Sequence, residues 1–582
     1  MKFQGRTALI TGSGTGIGRA IAKKFAENGA SVIVLGRRRE PLEDAAKMLE
    51  GIIAQKSTGA TVRIFSGVDV SEEEGINDMF AALKSDGVTV DYIVNNAGVS
   101  GPVTCFANAP LEEFKSTVEI HLTGTFWCSV QGLQVMKKGG KIITISTFFT
   151  EERPLEQRPY RFRSPYTAAQ GAKNRLAEAI SWELADREII SIATNPGPVH
   201  SDRIYKTVYP KAASEFMRVS GFEGLAPEQV DAANKELLPL LGEDESVVKK
   251  GVAEAAEKLG ADAGTLAGLL EKIQSIAEKV QNNTSRMIAN KEFLSQEQVA
   301  ESVLNLCDEE ISRILNGKVI PGDRVFYPVK PHIGTAVPGV HQPDFGGSAV
   351  VFTVDATTMR DAKRVEFLAS HVEKNGAKAA CFISKNASAE IQEYISSRFH
   401  SHVIDICSPD EVGRWLEKAS SNIGKIQAVV HVTGSLQETM LTGLSRAEWD
   451  RLVEKFVLTP ATVSQKALEQ FVPRGGSDPR LYKDARGAVM IVGPDLPVGR
   501  KVTGIQRAQI EVFRGALRPF TATVNQELGD VLGSRVRVFT IFAGTVSGAE
   551  PDDQKIADAL NFLVSDGATS SALVTFCVDE SR

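Results

Sequence analysis

A chain of 582 residues is too long for a single hydrophobic core, and we expect two or three domains. Its formal net charge of -6 argues against a nucleic-acid-binding surface. Six cysteines scattered singly lack the spacing of a metal site and the density of a disulfide framework, and no apolar run approaches the ~20 residues of a membrane-spanning helix. We therefore expect a cytoplasmic protein with no nucleic-acid partner, no membrane partner and no bound metal.

From Arg6 to about Asn195, short β-branched runs alternate with amphipathic helical stretches. The runs are TALIT, SVIVLG, VRIFSGV, VDYIVNNAG, KIITIST and IISIATN. Strands regularly interleaved with helices predict parallel βαβ units, wound right-handed into one sheet with helices on both faces. The predicted fold class of this part is α/β, with a doubly wound parallel sheet of the Rossmann type.

A glycine-rich loop lies between the first predicted strand and the first predicted helix. Glycine lets the backbone turn tightly and approach a pyrophosphate, whose charge the N–H groups and dipole of the following helix stabilise. Glycine also marks ordinary turns, but a position at the start of a βαβ unit favours a dinucleotide site. The candidate cofactor-binding residues of the loop are Gly12, Ser13, Gly14, Thr15, Gly16, Ile17 and Gly18.

The end of the second predicted strand indicates which dinucleotide binds. The strand ends in Leu35-Gly36 and continues as three arginines, without the acidic residue that would bind a ribose 2′-hydroxyl. An arginine at this position accepts a 2′-phosphate, so Arg37 and Arg38 favour NADP(H) over NAD(H). The alternative is a solvated basic start to the next helix.

Four motifs, in order along about 200 residues, resemble those of the short-chain dehydrogenase/reductase family. TGSGTGIG at 11–18 is similar to that family's TGxxxGIG, and NNAG at 95–98 to its NNAG. DV at 69–70 matches its adenine-contacting pair, and PG at 196–197 matches its turn beside the nicotinamide. The resemblance adds these cofactor-binding residues to the prediction: Asp69, Val70, Asn96, Ala97, Gly98, Pro196 and Gly197.

The resemblance also implies catalytic positions. In the family a tyrosine donates a proton to a carbonyl as NADPH delivers hydride, and a serine hydroxyl holds the carbonyl oxygen. Tyr166 occupies the tyrosine position, although an ordinary half-buried tyrosine is the alternative. The serine position falls on Thr147, with Ser146 just before it, and threonine keeps the hydroxyl.

Two further catalytic positions depart from the family pattern. The family's lysine, four residues after the tyrosine, is Gln170 here, and an uncharged amide cannot stabilise a tyrosinate electrostatically. We therefore expect reduction to persist more readily than oxidation. The family's asparagine is His121, which can relay protons or can be a buried structural residue.

Lys173 lies seven residues after Tyr166, one helical turn beyond the usual lysine. Helical side chains lean toward the N-terminus, so a long lysine can reach back toward the tyrosine. An exposed lysine is the more common alternative.

The organisation after residue 200 changes twice. Residues 201–294 carry helical signals only, which we interpret as an insertion beside the cleft and a substrate lid; a last helix and strand then complete a first domain of residues 1–326. Residues 327–346 are rich in Pro and Gly and form a predicted linker. From 347 to 582 the strand-helix alternation restarts, which predicts two Rossmann-type domains in tandem.

The second half is predicted to be degenerate. Its first strand leads into Asp355 without a glycine loop, the NNAG equivalent reads HVTGS at 431–435, and the catalytic tyrosine and lysine are missing. We expect it to bind no cofactor. Because domains of this family pair through helices, the second half can take the place of a second subunit; a homodimer or a separate partner reductase subunit is also possible.

The tandem arrangement, the helical insertion and the PYRFRSPY segment at 159–166 are similar to one half of the bifunctional malonyl-CoA reductases. That resemblance implies NADPH-dependent reduction of an acyl-CoA thioester or a short semialdehyde, such as malonyl-CoA or malonate semialdehyde. Gln170 and His121 together leave a second hypothesis, a nucleotide-binding pseudoenzyme that serves as a scaffold or regulatory subunit. A third hypothesis is a redox-neutral enzyme on the same fold.

Overall fold

Two seven-stranded parallel sheets, one in each half of the chain, form the framework of the protein. The computed structural model describes residues 1–147, 161–200, 204–286, 288, 290–323, 345–437, 439–472, 478–496, 499, 501–543, 552–564 and 575–578. The predicted linker, residues 327–346, lies outside the described residues except for its last two. The predicted class, two doubly wound parallel sheets in tandem, is confirmed.

The strands of the first sheet are β1 (Thr7–Thr11), β2 (Ser31–Gly36), β3 (Val62–Ser66), β4 (Val90–Asn95), β5 (Met136–Ile145), β6 (Ile190–Pro196) and β7 (Val319–Gly322). Their order across the sheet is β3-β2-β1-β4-β5-β6-β7, and every neighbouring pair is parallel. The order therefore reverses between β1 and β4. In a doubly wound fold, ligands bind in the crevice at the carboxyl ends of the strands at this reversal.

Helices cover both faces of the first sheet, which is why its strands are nearly continuous apolar runs. A π-helical turn, Glu119–Thr123, joins α4 to α5. The helices that pack on this sheet are α1 (Gly16–Glu27), α2 (Arg39–Lys56), α3 (Glu73–Ser85), α4 (Leu111–Val118), α5 (Gly124–Gly132) and α6 (Ser164–Glu183), with α11 (Gln296–Leu306) and α12 (Glu309–Ile314) after the stretch 201–294.

The stretch 201–294 has a hydrophobic cluster of its own, built from the apolar faces of its helices. A π-helical turn, Ile204–Val208, leads into it after β6. Its α-helices are α7 (Tyr209–Ser220), α8 (Pro227–Leu237), α9 (Glu245–Leu259) and α10 (Ala263–Arg286). Among all described residues of the protein, no helix is both long and apolar enough to cross a membrane.

The strands of the second sheet are β8 (Ala349–Val354), β9 (Lys378–Ser384), β10 (Ser401–Ile404), β11 (Ile426–Val432), β12 (Arg486–Val492), β13 (Arg535–Ala543) and β14 (Thr575–Val578). Their order, β10-β9-β8-β11-β12-β13-β14, repeats that of the first sheet. The helices around it are α13 (Met359–Lys374), α14 (Ala389–Ser396), α15 (Pro409–Ile423), α16 (Arg446–Val453), α17 (Thr459–Phe471), α18 (Gly504–Gln526) and α19 (Asp553–Val564). The second half is thus a structural repeat of the first.

The two halves meet where α6 crosses α18. The helices approach so closely that a Cβ added at Gly171 would overlap the carbonyl oxygen of Gly515. A Cβ added at Gly515 would in turn lie 2.6 Å from Cγ of Arg175. Thr167 on α6 and Thr523 on α18 also share a hydrogen bond of 3.1 Å between their hydroxyl groups.

Aromatic side chains extend the same interface. Trp449 on α16 is fully buried, stacks on Phe126 of α5 with ring centroids 3.7 Å apart, and donates a hydrogen bond of 3.1 Å to Thr123. Phe520 on α18 packs edge-on against Phe106 at 5.0 Å. One continuous hydrophobic core therefore includes residues of both halves. Large, well-packed aromatic contacts of this kind dominate the energetics of interfaces.

Substituting Gly171 with alanine is expected to destabilise the protein by about 1–3 kcal/mol, because the two helix backbones must move apart to admit one methyl group. The matched control is Gly51→Ala on α2, where an added Cβ meets nothing within 4 Å. That change should be neutral or stabilise by up to about 1 kcal/mol, since alanine favours a helix interior. Urea unfolding of both variants measures the difference, and equal stability would contradict the close crossing.

Candidate active site

A cleft of about 500 Å³ opens at the carboxyl edge of the first sheet, where the strand order reverses. It runs from the glycine-rich loop to the first turn of α6, so it brings together residues that lie far apart in the sequence. The predicted site residues that line it are Gly12, Gly14, Thr15, Gly16, Ile17, Arg37, Arg38, Asp69, Val70, Asn96, Ala97, Gly98, His121, Ser146, Thr147, Tyr166, Gln170, Pro196 and Gly197.

Two of the predicted loop residues support the cleft without lining it. Ser13 is fully buried, and its hydroxyl accepts a hydrogen bond of 3.0 Å from the backbone N–H of Leu35. Gly18 lies against Gly12 and Asn96, and a Cβ there would come within 2.5 Å of the Gly12 carbonyl oxygen. Both residues hold the loop in shape.

The glycine-rich loop is built for close approach of a ligand to backbone. Gly12 has a φ of +65°, which favours glycine, and α1 begins at Gly16 with its first N–H groups directed toward the cleft end of the loop. Asn96 fixes the loop by donating from its side chain to the carbonyl oxygen of Thr11 at 2.9 Å. The hydroxyl of Thr11 accepts the backbone N–H groups of Asn96 at 2.9 Å and Ala97 at 2.8 Å. The arrangement suits an anionic group at the start of α1.

The rim of the cleft beyond the loop is charged. Arg37 is largely exposed, and its guanidinium lies 3.4 Å from a carboxylate oxygen of Asp69. Partial burial tends to raise the pKa of Asp69, but hydrogen bonds from Ser71 and the nearness of Arg37 outweigh it and hold that pKa below its usual value. Val70 packs on Gly124 behind the rim. Arg37 and Asp69 thus form an ion pair at the open end of the site.

His121 lies in the π-helical turn between α4 and α5 and is 3% exposed. Its Nε2 atom is 2.9 Å from the carbonyl oxygen of Val99. A Cβ at Gly98 would overlap the imidazole ring, so this glycine of the NNAG motif makes room for the histidine. The ring also meets that of Tyr166 edge-on, with centroids 5.3 Å apart.

Tyr166 stands in the first turn of α6, half-buried, with its ring in the cleft. Arg163, just before the helix, lies over the face of this ring with its guanidinium carbon 3.9 Å from the centroid. Arg163 is 4% exposed and donates a hydrogen bond of 2.6 Å to the carbonyl oxygen of Ser100. Sequence reasoning missed this residue, although it stands in the PYRFRSPY segment.

The two hydroxyl residues at the end of β5 differ in what they contact. Ser146 is buried and donates a hydrogen bond of 2.9 Å to the backbone carbonyl of Gln170, so its hydroxyl ties β5 to α6. Thr147 follows it and also lines the cleft. Both residues therefore reach the cleft, and the hydroxyl of Ser146 is engaged by α6.

Lys173 is buried, being 1% exposed, and it lines the cleft together with Gln170. Its Nζ atom donates a hydrogen bond of 2.7 Å to the carbonyl oxygen of Ile145, the residue before Ser146. Burial lowers the pKa of Lys173 to about 7. The more common alternative, an exposed lysine, is wrong for this residue.

The far end of the cleft is formed by the turn after β6. Pro196 and Gly197 lie there, and a Cβ at Gly197 would come within 2.8 Å of Asp323, just after β7. Ile204 and Val208, in the π-helical turn that opens the stretch 201–294, complete the wall. This stretch therefore borders the site.

Comparison with known proteins decides the family. The model of the short chain dehydrogenase family matches residues 6–209. An uncharacterised oxidoreductase of Thermotoga maritima is 32% identical over 197 residues, which are 34% of this chain and 72% of the relative. The chain belongs to the short-chain dehydrogenase family. NADPH-dependent aldehyde reductase 2, a chloroplastic protein of Arabidopsis thaliana, is 30% identical over 239 residues, 38% of this chain and 85% of the relative.

A solved structure extends the likeness beyond the first half. The C-domain of a bacterial malonyl-CoA reductase, solved with NADP, has a TM-score of 0.73 and 17% identity, with 99% of each chain covered. At that identity the likeness concerns the fold. Both halves of this short-chain dehydrogenase thus share one fold with that domain, including the degenerate second half.

In the second half, the turn after the first strand has no glycine-rich loop, and an aspartate side chain binds the backbone N–H groups of that turn. The turn after β8 directs the backbone N–H groups of Thr357 and Thr358 to one carboxylate oxygen of Asp361, at 3.0 and 2.9 Å. Next to it the buried Arg364 pairs with Asp495 and, at 2.9 Å, with Asp553. An aspartate thus accepts the N–H groups that a phosphate would need.

The buried lysine gives a pH-dependent prediction. The folded-state pKa of Lys173, about 7, lies below the unfolded value of about 10.4, so above pH 7 the unfolded state binds more protons than the folded state. The free energy of unfolding of the wild type, relative to Lys173→Met, should therefore rise between about pH 7 and pH 10. Urea unfolding across this range measures it. Lys47→Met, an exposed lysine of α2, is the control, and a pH-independent difference at position 173 would contradict the burial.

Proposed function

We propose that this short-chain dehydrogenase uses NADPH to reduce a carbonyl group, with Tyr166 as the proton donor. The observation that carries the proposal is a single cleft that joins the glycine-rich loop to Tyr166, with Thr147 and Lys173 beside it. A binding protein without chemistry needs the loop but does not need a hydroxyl donor and a buried amine at its other end.

The residues of the cleft fit a dinucleotide phosphate. Gly16 leaves open space in the cleft, since a Cβ added there would meet nothing within 4 Å. Gly12 and Gly14 let the loop pack tightly, since an added Cβ would lie 3.0 Å from Ala97 and 3.2 Å from Pro41 respectively. Arg37 and Arg38 would hold a 2′-phosphate at the exposed rim. Neither position carries the acidic residue that would bind a ribose 2′-hydroxyl instead. The name of the Arabidopsis relative and the ligand of the malonyl-CoA reductase domain agree with this choice.

When bound, NADPH supplies a hydride to the carbonyl carbon. The residues of the chain handle the oxygen: Thr147 donates a hydrogen bond to it, and Tyr166 transfers its hydroxyl proton to it as negative charge develops. The ammonium form of Lys173 supplies the positive charge that Gln170 lacks. We assign the onward transfer of the proton to His121, whose ring meets that of the tyrosine edge-on.

Two features bear on the substrate class: the tandem fold and the helical stretch beside the cleft. The malonyl-CoA reductase domain with the same tandem fold suggests an acyl-CoA thioester or a short semialdehyde. The helical stretch after β6 borders the cleft through Ile204 and Val208. This position suits a lid that covers the part of the substrate beyond its carbonyl group. A separate reductase partner is not needed for this chemistry, because all the residues named lie in one cleft.

A nucleotide-binding scaffold is the second candidate. The observation that favours it is the side chain of Gln170, which is 3% exposed and stands at the position of the family's lysine. A scaffold would keep affinity for NADPH without turnover. Assaying the wild type on a panel of aldehydes and acyl-CoA thioesters separates the two functions.

The cofactor preference depends on Arg37. Arg37→Asp should weaken NADPH binding by about 10- to 100-fold and favour NADH in relative terms, because the guanidinium is replaced by a charge that repels the 2′-phosphate. Fluorescence titration with both cofactors measures the affinities. Arg39→Asp is the control, since Arg39 is exposed and begins α2 outside the cleft. A wild type with equal affinity for both cofactors would refute the preference.

Tyr166→Phe tests the proton donor, because it removes one hydroxyl and keeps the ring against Arg163 and His121. We expect kcat to fall by about 100-fold or more at unchanged NADPH affinity, the usual contribution of general acid catalysis. Tyr394→Phe, in α14 of the second half, is the matched control. If Tyr166→Phe turns over as fast as the wild type, the proton comes from another residue, and His121 is the first to examine.

A further inference from the structure

We propose that Glu527, which follows α18 in the second half, is a positioning residue for Tyr166. It holds the backbone of the segment that leads into α6 and so couples the degenerate half to the active site. The inference rests on the proposed reduction, in which Tyr166 is the proton donor. It gives the second half a part in the chemistry beyond packing.

The carboxylate of Glu527 reaches across the interface and is 1% exposed. One oxygen accepts the backbone N–H of Phe106 at 2.7 Å, and the other accepts the backbone N–H of Phe162 at 2.7 Å. Both donors belong to the first half. The carbonyl oxygen of Phe162 in turn accepts the N–H of Thr104 at 2.8 Å. Both the N–H and the C=O group of Phe162 are therefore hydrogen-bonded.

Phe162 needs this support because its backbone is in the left-handed region, with φ of +69°. A residue with a Cβ adopts that conformation only when its surroundings hold it there. The next residue is Arg163, which lies on the ring of Tyr166, and α6 begins at Ser164. The conformation of Phe162 therefore sets the direction in which the catalytic segment enters the cleft.

Charged groups from the second half and from the stretch 201–294 meet at this carboxylate. Glu215 of α7 accepts the N–H of Cys105 at 2.7 Å and pairs with Arg218 at 2.6 Å. Two carboxylates, one from the second half and one from the stretch 201–294, thus hold the successive residues Cys105 and Phe106. Burial raises the pKa of Glu527 to about 8, and the nearby Glu215 adds to the rise. An ionised carboxylate has acceptors for both N–H groups, whereas a protonated one replaces an acceptor by a donor.

The coupling is separable from the rest of the interface. The crossing of α6 with α18 and the stack of Trp449 on Phe126 involve neither Glu527 nor Phe162. The described contacts of Glu527 also do not include the glycine-rich loop or Arg37. Removing the carboxylate is therefore expected to disturb the entry to α6 while the cofactor end of the cleft keeps its shape.

The test is Glu527→Gln in the full chain, a substitution of nearly equal size whose amide group turns an N–H donor toward one of the two backbone donors. We expect kcat to fall by about 10- to 100-fold, because a displacement of about 1 Å of a catalytic group is enough to cause a loss of this size. The affinity for NADPH should stay unchanged. Hydrogen exchange measured by mass spectrometry should increase in a peptide covering residues 161–166 and stay unchanged around 12–18.

The pH profile adds a readout that a merely structural role would not change. The ratio of the wild-type kcat to that of Glu527→Gln should rise as the pH approaches and passes about 8, where Glu527 ionises, because the titration of Lys173 is common to both proteins and cancels in the ratio. Glu511→Gln is the matched control, because Glu511 stands on α18 and pairs with Arg514 and Arg518 of the same half.

The outcomes are distinguishable from those of the proposed function. Unchanged kcat together with unchanged exchange at 161–166 overturns the positioning role, and so does an equal loss of kcat in Glu511→Gln. A fall in NADPH affinity that accounts for the whole loss of rate overturns it as well. A wild type that reduces no aldehyde or thioester overturns the proposed function, whereas the exchange measurement still shows whether Glu527 orders the segment.

Discussion

The close crossing of α6 and α18 at Gly171 and Gly515 is the constraint on which the rest of the structure depends. Helix α6 carries Tyr166 at its first turn and Lys173 two turns later, so the helix that bears the proposed proton donor is also the main contact between the halves. Because two backbones meet there without intervening side chains, neither helix can shift or rotate without a clash. The second half therefore acts as a rigid support for α6.

Much of the fold could be predicted from the sequence, because strand runs rich in Val and Ile and glycine-marked turns are local signals. The cofactor end of the cleft followed from the same signals, and the structure brings Gly12, Arg37 and Asn96 into one cleft as expected. The catalytic end was less predictable. Arg163 bonds to the carbonyl oxygen of Ser100, and Glu527 bonds to two backbone N–H groups of the other half, and no spacing in the sequence marks contacts between segments so far apart.

The second half shows how a cofactor fold can be kept after its loop is lost. Asp361 accepts the N–H groups at the start of α13, so the turn needs no external anion to satisfy them. Beside this turn, Arg364 and Arg360 pair with Asp495 and Asp553, so two positive charges meet two negative charges. Removing one partner of a buried ion pair strongly destabilises the folded protein, because it leaves the other charge buried and unpaired. This cost favours keeping the whole network once it exists. The repeated fold then remains as an interface for α6.

The amine that the family pattern has at position 170 is missing there, and a buried amine is found about one helical turn later, at Lys173. At 170 the side chain is buried and uncharged, whereas one turn later a lysine directs its Nζ to the carbonyl oxygen of Ile145. This places an amine at the end of β5, beside Ser146 and Thr147. A rise of about 4.5 Å between the two positions is within the reach of a lysine side chain that leans toward the helix N-terminus. Burial lowers the pKa of this amine to about 7, so near neutral pH its neutral and ammonium forms are both populated. In the reduction proposed above, the ammonium form of this amine supplies the positive charge beside the tyrosine, and that charge is lost as the pH rises through about 7.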